Sequence, residues 1–138
     1  QQVRDKLMSK NSLYKILFSC KKRGHLLSYY ENAGYYSKHT DASAFTLLSY
    51  FNKEPKQFSG GEITLHSFDD SKKATIECRN NRFIIITGHT CHEVSEIEMA
   101  PSKFSGEGRY CFSAFYNIAD KQYLKSVEER MRIHNDIS

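Results

Sequence analysis

From His25 to Asn117 the chain is a series of short apolar runs, each closed by a turn signal. This spacing constrains the fold more than any other feature. "AFTLLSYFN", "EITLHSF", "ATIEC", "RFIIITG" and "RYCFSAFYN" are too short for core helices and rich in β-branched and aromatic residues, so they read as strands. "RFIIIT" reads as the most buried of them, and "CHEVSEIEM" as one further extended segment. "HLLSYYENAGYYSKH" gives two extended segments around the turn "ENAG", and the basic "CKKRGH" (Lys21 to Arg23) reads as a solvated turn. "KEPKQFSGG", "DDSKK", "NN" and "APSKFSGEG" read as connections. Nine Tyr and nine Phe with no Trp agree with pleated surfaces. The expected architecture is a mainly β fold, a sandwich, jelly roll or barrel.

Helical spacing is confined to the ends. Val3, Leu7, Leu13, Ile16, Leu17 and Phe18 predict one or two short N-terminal helices. "DKQYLKSVEERMRIHN" predicts a terminal helix with Asp120 as N-cap and Tyr123, Leu124, Val127 and Met131 on one face. A length of 138 residues with no linker or repeat predicts one domain, 1–138. The start "QQVRDK" lacks Met, which reads as truncated N-terminal support helices.

Composition narrows the partners. A net charge of +4 without a basic face disfavours nucleic acid. No apolar run approaches the ~20 residues that cross a membrane. The four cysteines (Cys20, Cys78, Cys91, Cys111) form no CxxC pair, so reduced thiols and, with no signal peptide in view, a cytoplasmic location are expected.

The chemistry begins at "KHTDASAF". His39 and Asp41 are two residues apart, and in a strand such residues project from one face. An imidazole and a carboxylate converging on one point make two thirds of a facial triad, the ligand set suited to iron(II) with open positions. An HxD tripeptide alone is more often a surface histidine beside a solvated aspartate. A second histidine is needed, and "GHTCHEV" offers His89 and His92. His92 opens an extended segment that can reach an early strand, whereas His89 sits at the Gly88 turn and is expected to be exposed. No second pair has zinc-finger spacing. Arg109 heads the strand "RYCFSAFY", where a cation requires an anionic partner or a surface position. Its planar fork suits a carboxylate, and Tyr50 offers a hydroxyl on an apolar body.

The order of these parts, HxD, a strand ending "YFNK", the "SGGE" loop, an apolar strand, "HEV" and "GRY…FSAFY", resembles the iron(II)/2-oxoglutarate dioxygenases, and within them the prolyl-hydroxylase-like branch. The resemblance runs from about Leu26 to Asn117. It implies a double-stranded β-helix, the jelly roll, with flanking helices. It also implies iron(II), 2-oxoglutarate and dioxygen, and admits ascorbate. By position it makes His39, Asp41 and His92 the iron ligands and pairs Arg109 with the far carboxylate of 2-oxoglutarate. Tyr50 would help hold that carboxylate, in a pocket also walled by Ile63 and Phe112. Tyr30 would line the pocket near the iron, and Ser113 would lie beside the cosubstrate. The stretch between His92 and Arg109 exceeds the family spacing, so "APSKFSGEG" reads as an inserted loop. That loop, "KEPKQFSGG" and Glu31 to Lys38 are expected to border the substrate site.

The implied activity is hydroxylation of a C–H bond of a protein or peptide residue with release of succinate and CO2. Asp41 separates this chain from related halogenases, which lack the carboxylate. The alternative is a non-redox jelly-roll module of cupin or lectin type that holds a metal or sugar. A small-molecule substrate stays open. A nucleic-acid-directed enzyme ranks lower, because no second arginine follows Arg109 on the last strand.

Overall fold

The computed structural model describes residues 20–100 and 106–118, with Lys6, Ser9 and Ile16. Lys6, Ser9 and Ile16 are helical, and the rest of both predicted flanking helices lies outside the described residues. The chain divides into two compact units, residues 22–116 and residues 1–21 with 117–138. The site described below and the strands, apart from residues 20–21 and 117–118 at their ends, belong to the first.

The described strands, in chain order, are β1 (Cys20–Tyr30), β2 (Tyr36–His39), β3 (Phe45–Phe51), β4 (Phe58–Gly60), β5 (Ile63–His66), β6 (Lys73–Ile76), β7 (Arg82–Thr87), β8 (Cys91–Val94), β9 (Ile97–Met99) and β10 (Arg109–Ile118). They form a sheet of order β1-β10-β3-β7, a second of order β2-β8-β5-β6, and the small pair β4-β9. This is the jelly roll implied by the resemblance, one of the architectures that the spacing of short runs left open.

Alternation drives the packing. Leu48 and Tyr50 of β3, Ile84 and Ile86 of β7, Ile63, Ile97, Cys78 and Cys111 build the core between the sheets. Each fully buried aliphatic or aromatic side chain contributes on the order of 1.5–3 kcal/mol. Non-local partners revise several sequence expectations. The basic "CKKRGH" is not a turn but part of β1, because hydrogen bonding along β10 recruits it while its cations stay exposed. β3, not β7, is the most buried strand: β3 is flanked on both sides, and β7 is the outer strand of its sheet. "CHEVSEIEM" divides into β8 and β9, and the "KEPKQFSGG" connection contains β4, since Phe58 pairs with Met99. Residues 101–105 of the expected inserted loop lie outside the described residues.

Candidate metal centre

β2 pairs antiparallel with β8, and this register sets His39 directly opposite His92. Their rings lie 4.2 Å apart. A bulge separates Tyr36 from His39. In a regular strand, residues three apart face opposite ways. The bulge instead lets both Tyr36 and His39 line one cavity, with their rings edge to face at 4.3 Å.

Asp41 arrives by a different route from the one expected. β2 ends at His39, so strand alternation does not aim the carboxylate. The Asp41 amide donates to the Gly88 carbonyl at 2.9 Å. The Thr46 hydroxyl donates to Asp41 Oδ2, and Ser43 Oγ is 2.9 Å from Thr46 Oγ1. Asp41 Oδ1 then lies 3.5 Å from His39 Nε2, and Oδ2 lies 3.9 Å from His92 Nε2. One ligand atom from each residue fits within 4.8 Å of the others.

The two histidines are oriented alike. His39 Nδ1 is 2.8 Å from the Ser37 carbonyl, and His92 Nδ1 is 2.8 Å from the Thr90 carbonyl. A carbonyl accepts only, so each Nδ1 carries the proton and each Nε2 turns its lone pair inward. Such bonds are the usual support of metal-ligating imidazoles. His89, by contrast, is exposed in the turn after β7.

Gly88 joins the two halves of this centre. A Cβ there would meet the Ser43 carbonyl oxygen at 1.7 Å and the Asp41 carbonyl oxygen at 2.9 Å. Gly88→Ala is therefore expected to push the 41–44 segment away and destabilise the protein by about 1–3 kcal/mol. Chemical denaturation measures the loss, and metal titration should show weakened binding in the fraction that folds. Unchanged stability would mean that this approach is not rigid.

The cavity is lined by Tyr30, Ile63 and Ser113 along with His39, Asp41 and His92. Cys111, Tyr36, Leu26 and Phe115 also line it. Of the connections expected to border the site, the Glu31 to Lys38 stretch contributes Tyr36 and His39 follows it; "KEPKQFSGG" contributes none of the lining residues. Arg109 does not face the cavity directly. It is 1 % exposed, and its guanidinium lies over the Tyr50 ring at 4.4 Å and the Tyr30 ring at 5.1 Å. Tyr30 thus both lines the cavity and meets the cation. Gly61 makes room: with φ of 74°, it has no Cβ to strike Arg109 Cδ, which would lie 2.9 Å away. Phe112 is not a wall of this pocket. Strand alternation turns it to the other face of β10, with its ring 6.0 Å from His25, and Cys111 stands beside Arg109 instead.

No carboxylate of the described residues pairs with Arg109. The titratable groups nearest its guanidinium are Tyr50, Cys111, Cys78 and Tyr30. Burial pushes the Tyr50 phenol up, and the Cys78 and Cys111 thiols with it, so all three stay neutral around the cation. Arg109 Nε and the Tyr50 hydroxyl are both buried without hydrogen-bond partners. A buried, unpaired guanidinium costs several kcal/mol unless an anion meets it.

Comparison with known proteins agrees with this arrangement. The sequence profile of the 2OG-Fe(II) oxygenase superfamily matches residues 24–117. The chain belongs to that superfamily. No curated protein sequence matches it. Among solved structures, it is similar to a 2OG-Fe(II) oxygenase family oxidoreductase of Burkholderia pseudomallei, with TM-score 0.61 and 16 % identity over 73 % of this chain and 45 % of that one. A prolyl-4-hydroxylase of Pseudomonas putida gives TM-score 0.57 and 15 % identity over 82 % and 63 %. A prolyl hydroxylase of Trichoplax adhaerens, in complex with a hypoxia inducible factor oxygen degradation domain peptide fragment, gives 0.56 and 19 % over 76 % and 49 %. At these identities the likeness is one of fold. The chain spans between about half and two thirds of each neighbour's length.

The superfamily uses iron(II), 2-oxoglutarate and dioxygen, and the donors present fit the first two. Two inward Nε2 atoms and a carboxylate are the facial set that suits iron(II). The unpartnered Arg109 Nε and Tyr50 hydroxyl suit a carboxylate. Among the described residues, sequence reasoning missed Thr46, Ser43 and Gly88. Their signal was the hydroxyl pattern of "DASAFT" and the glycine before "HTCH".

Among the described residues no helix is long and apolar enough to cross a membrane, and the four cysteines are free.

Proposed function

We propose that the chain is an iron(II)- and 2-oxoglutarate-dependent oxygenase that hydroxylates a C–H bond of a protein or peptide residue, in the manner of a prolyl hydroxylase. The observation that carries this reading is the buried, anion-free Arg109, one aromatic ring away from a cavity holding three convergent metal donors. The Trichoplax adhaerens neighbour, a prolyl hydroxylase seen with a peptide, supports the peptide class of substrate.

When bound, iron(II) and 2-oxoglutarate supply the oxidising chemistry: one oxygen atom of O2 goes to succinate, the other to the substrate hydroxyl, and CO2 leaves. The residues of the chain bind and orient. His39 and His92 present fixed Nε2 lone pairs, and Asp41 adds a negative charge held by Thr46. Arg109 would form a charge-assisted pair with the far carboxylate of 2-oxoglutarate, with the Tyr50 hydroxyl as a further donor. Ile63, Ser113 and Tyr30, which line the cavity, would flank the cosubstrate.

Anaerobic titration with iron(II) and then 2-oxoglutarate tests the reading. The expected result is a visible charge-transfer band that needs both. Tyr50→Phe should weaken 2-oxoglutarate binding by about 1 kcal/mol, the scale of one neutral hydrogen bond. A protein that binds metal but shows no band and no affinity for 2-oxoglutarate would be a non-redox binding module.

A further inference from the structure

The cavity opens between two outer strands. β1 begins the order of one sheet and β2 begins the order of the other. Each supplies an apolar residue that lines the cavity while remaining in contact with solvent: Leu26 is 53 % exposed and Tyr36 is 49 % exposed. Beside them stand Leu27 and Tyr35, more exposed still. Large apolar side chains gathered on solvent-facing edges mark interaction sites. A free strand edge also has backbone donors and acceptors ready for another chain, and proteins usually cover or break such edges.

Charge at this rim is divided along β1, with the Glu31 carboxylate just past its end and Lys22 and Arg23 near its start. Glu31 is engaged by the Tyr29 hydroxyl at 2.8 Å, and Lys38 by Asp70 at 2.8 Å. Lys22 and Arg23 of β1 are exposed, with no ion pair among the described residues. By strand alternation Lys22 shares the face of Leu26 and Ser28, about 13 Å farther along β1 from Leu26. Resting on the oxygenase reading above, we propose that an acidic polypeptide segment binds in extended form as an added strand on the edge of β2 that no other described strand occupies, between Tyr36 and Leu26. A strand added there lies about 4.8 Å from β2 and turns alternate side chains toward the cavity. The residue level with His39 then enters the metal centre. Acidic residues several positions away meet Lys22, with Arg23 adding positive charge from the other face of β1.

The test uses the full chain and short fluorescent peptides with one common apolar, proline-containing centre. These are flanked by Glu, by Lys or by neutral residues, and binding is read by anisotropy. The Glu-flanked peptide should bind about tenfold or more tighter than the Lys-flanked one, a difference that shrinks with added salt. The double charge reversal Lys22→Glu/Arg23→Glu should invert that order and leave 2-oxoglutarate titration unchanged. N-methylation of alternate peptide amides should abolish binding in one phase and spare it in the other, because only every second amide faces β2. Equal or tighter binding of the Lys-flanked peptide overturns the charge assignment. Equal tolerance of both methylation phases overturns strand addition. Because peptide binding is read without turnover, failure of the oxygenase reading appears separately, as absent 2-oxoglutarate binding.

Discussion

Asp41→Ala is expected to remove metal binding from the chain and with it all coupled turnover. The carboxylate is the only anionic donor of the three convergent residues, and its loss leaves two neutral imidazoles to hold a divalent cation. It also strips the acceptor from the buried Thr46 hydroxyl, itself in contact with Ser43, so the 41–46 segment loses a bond worth about 1.5–3 kcal/mol when charged. His92→Ala should be as damaging to metal binding, since its Nε2 is the donor supplied by β8. His89→Ala is the control. His89 is exposed in the turn after β7 and belongs to no group of convergent donors among the described residues. Metal content after anaerobic reconstitution, together with iron(II) titration, measures all three. If His89→Ala abolishes binding and His92→Ala does not, the ligand assignment is wrong.

Those two histidines also mark how far the sequence could be read. A chain of short β-rich runs between turns implies a sandwich, jelly roll or barrel whatever the partners are, and the resemblance of its ordered motifs narrows this to the jelly roll. The choice of His92 over His89 followed from the same local logic: one opens an extended segment and the other sits beside Gly88. What stayed hidden is non-local. "CKKRGH" carries no strand pattern of its own and becomes β1 only because β10 lies beside it. The bulge between Tyr36 and His39 shifts a side chain by one face without leaving a mark in residue type. Asp41 was expected to follow strand alternation, yet β2 stops before it and the Gly88 carbonyl and Thr46 hydroxyl take over. Phe112 was expected to wall the cosubstrate pocket, yet the pleat of β10 puts Cys111 beside Arg109 and turns Phe112 toward His25.

Arg109 should be a residue whose removal harms function without harming the fold. Arg109→Ala is expected to weaken 2-oxoglutarate binding by about 2–5 kcal/mol, because the far carboxylate would be desolvated and unpaired. Arg109→Lys keeps the charge and loses the fork, so it should fall between Ala and the parent while metal binding survives. Stability should move differently. In the ligand-free chain the guanidinium is buried over two aromatic rings, its Nε has no hydrogen-bond partner and no carboxylate of the described residues pairs with it. Replacing a buried charge by an apolar side chain of similar length is often neutral or stabilising. Arg109→Met should therefore keep or raise the Tm of the ligand-free protein and abolish the rise that 2-oxoglutarate produces. For the parent that rise corresponds to about 2.7 kcal/mol at a ligand concentration one hundred times Kd. Thermal melts with and without 2-oxoglutarate, run anaerobically with metal, separate the two effects. A melt in which Arg109→Met unfolds early and still gains from 2-oxoglutarate would make Arg109 a structural residue, and the cosubstrate carboxylate would then have to be held elsewhere.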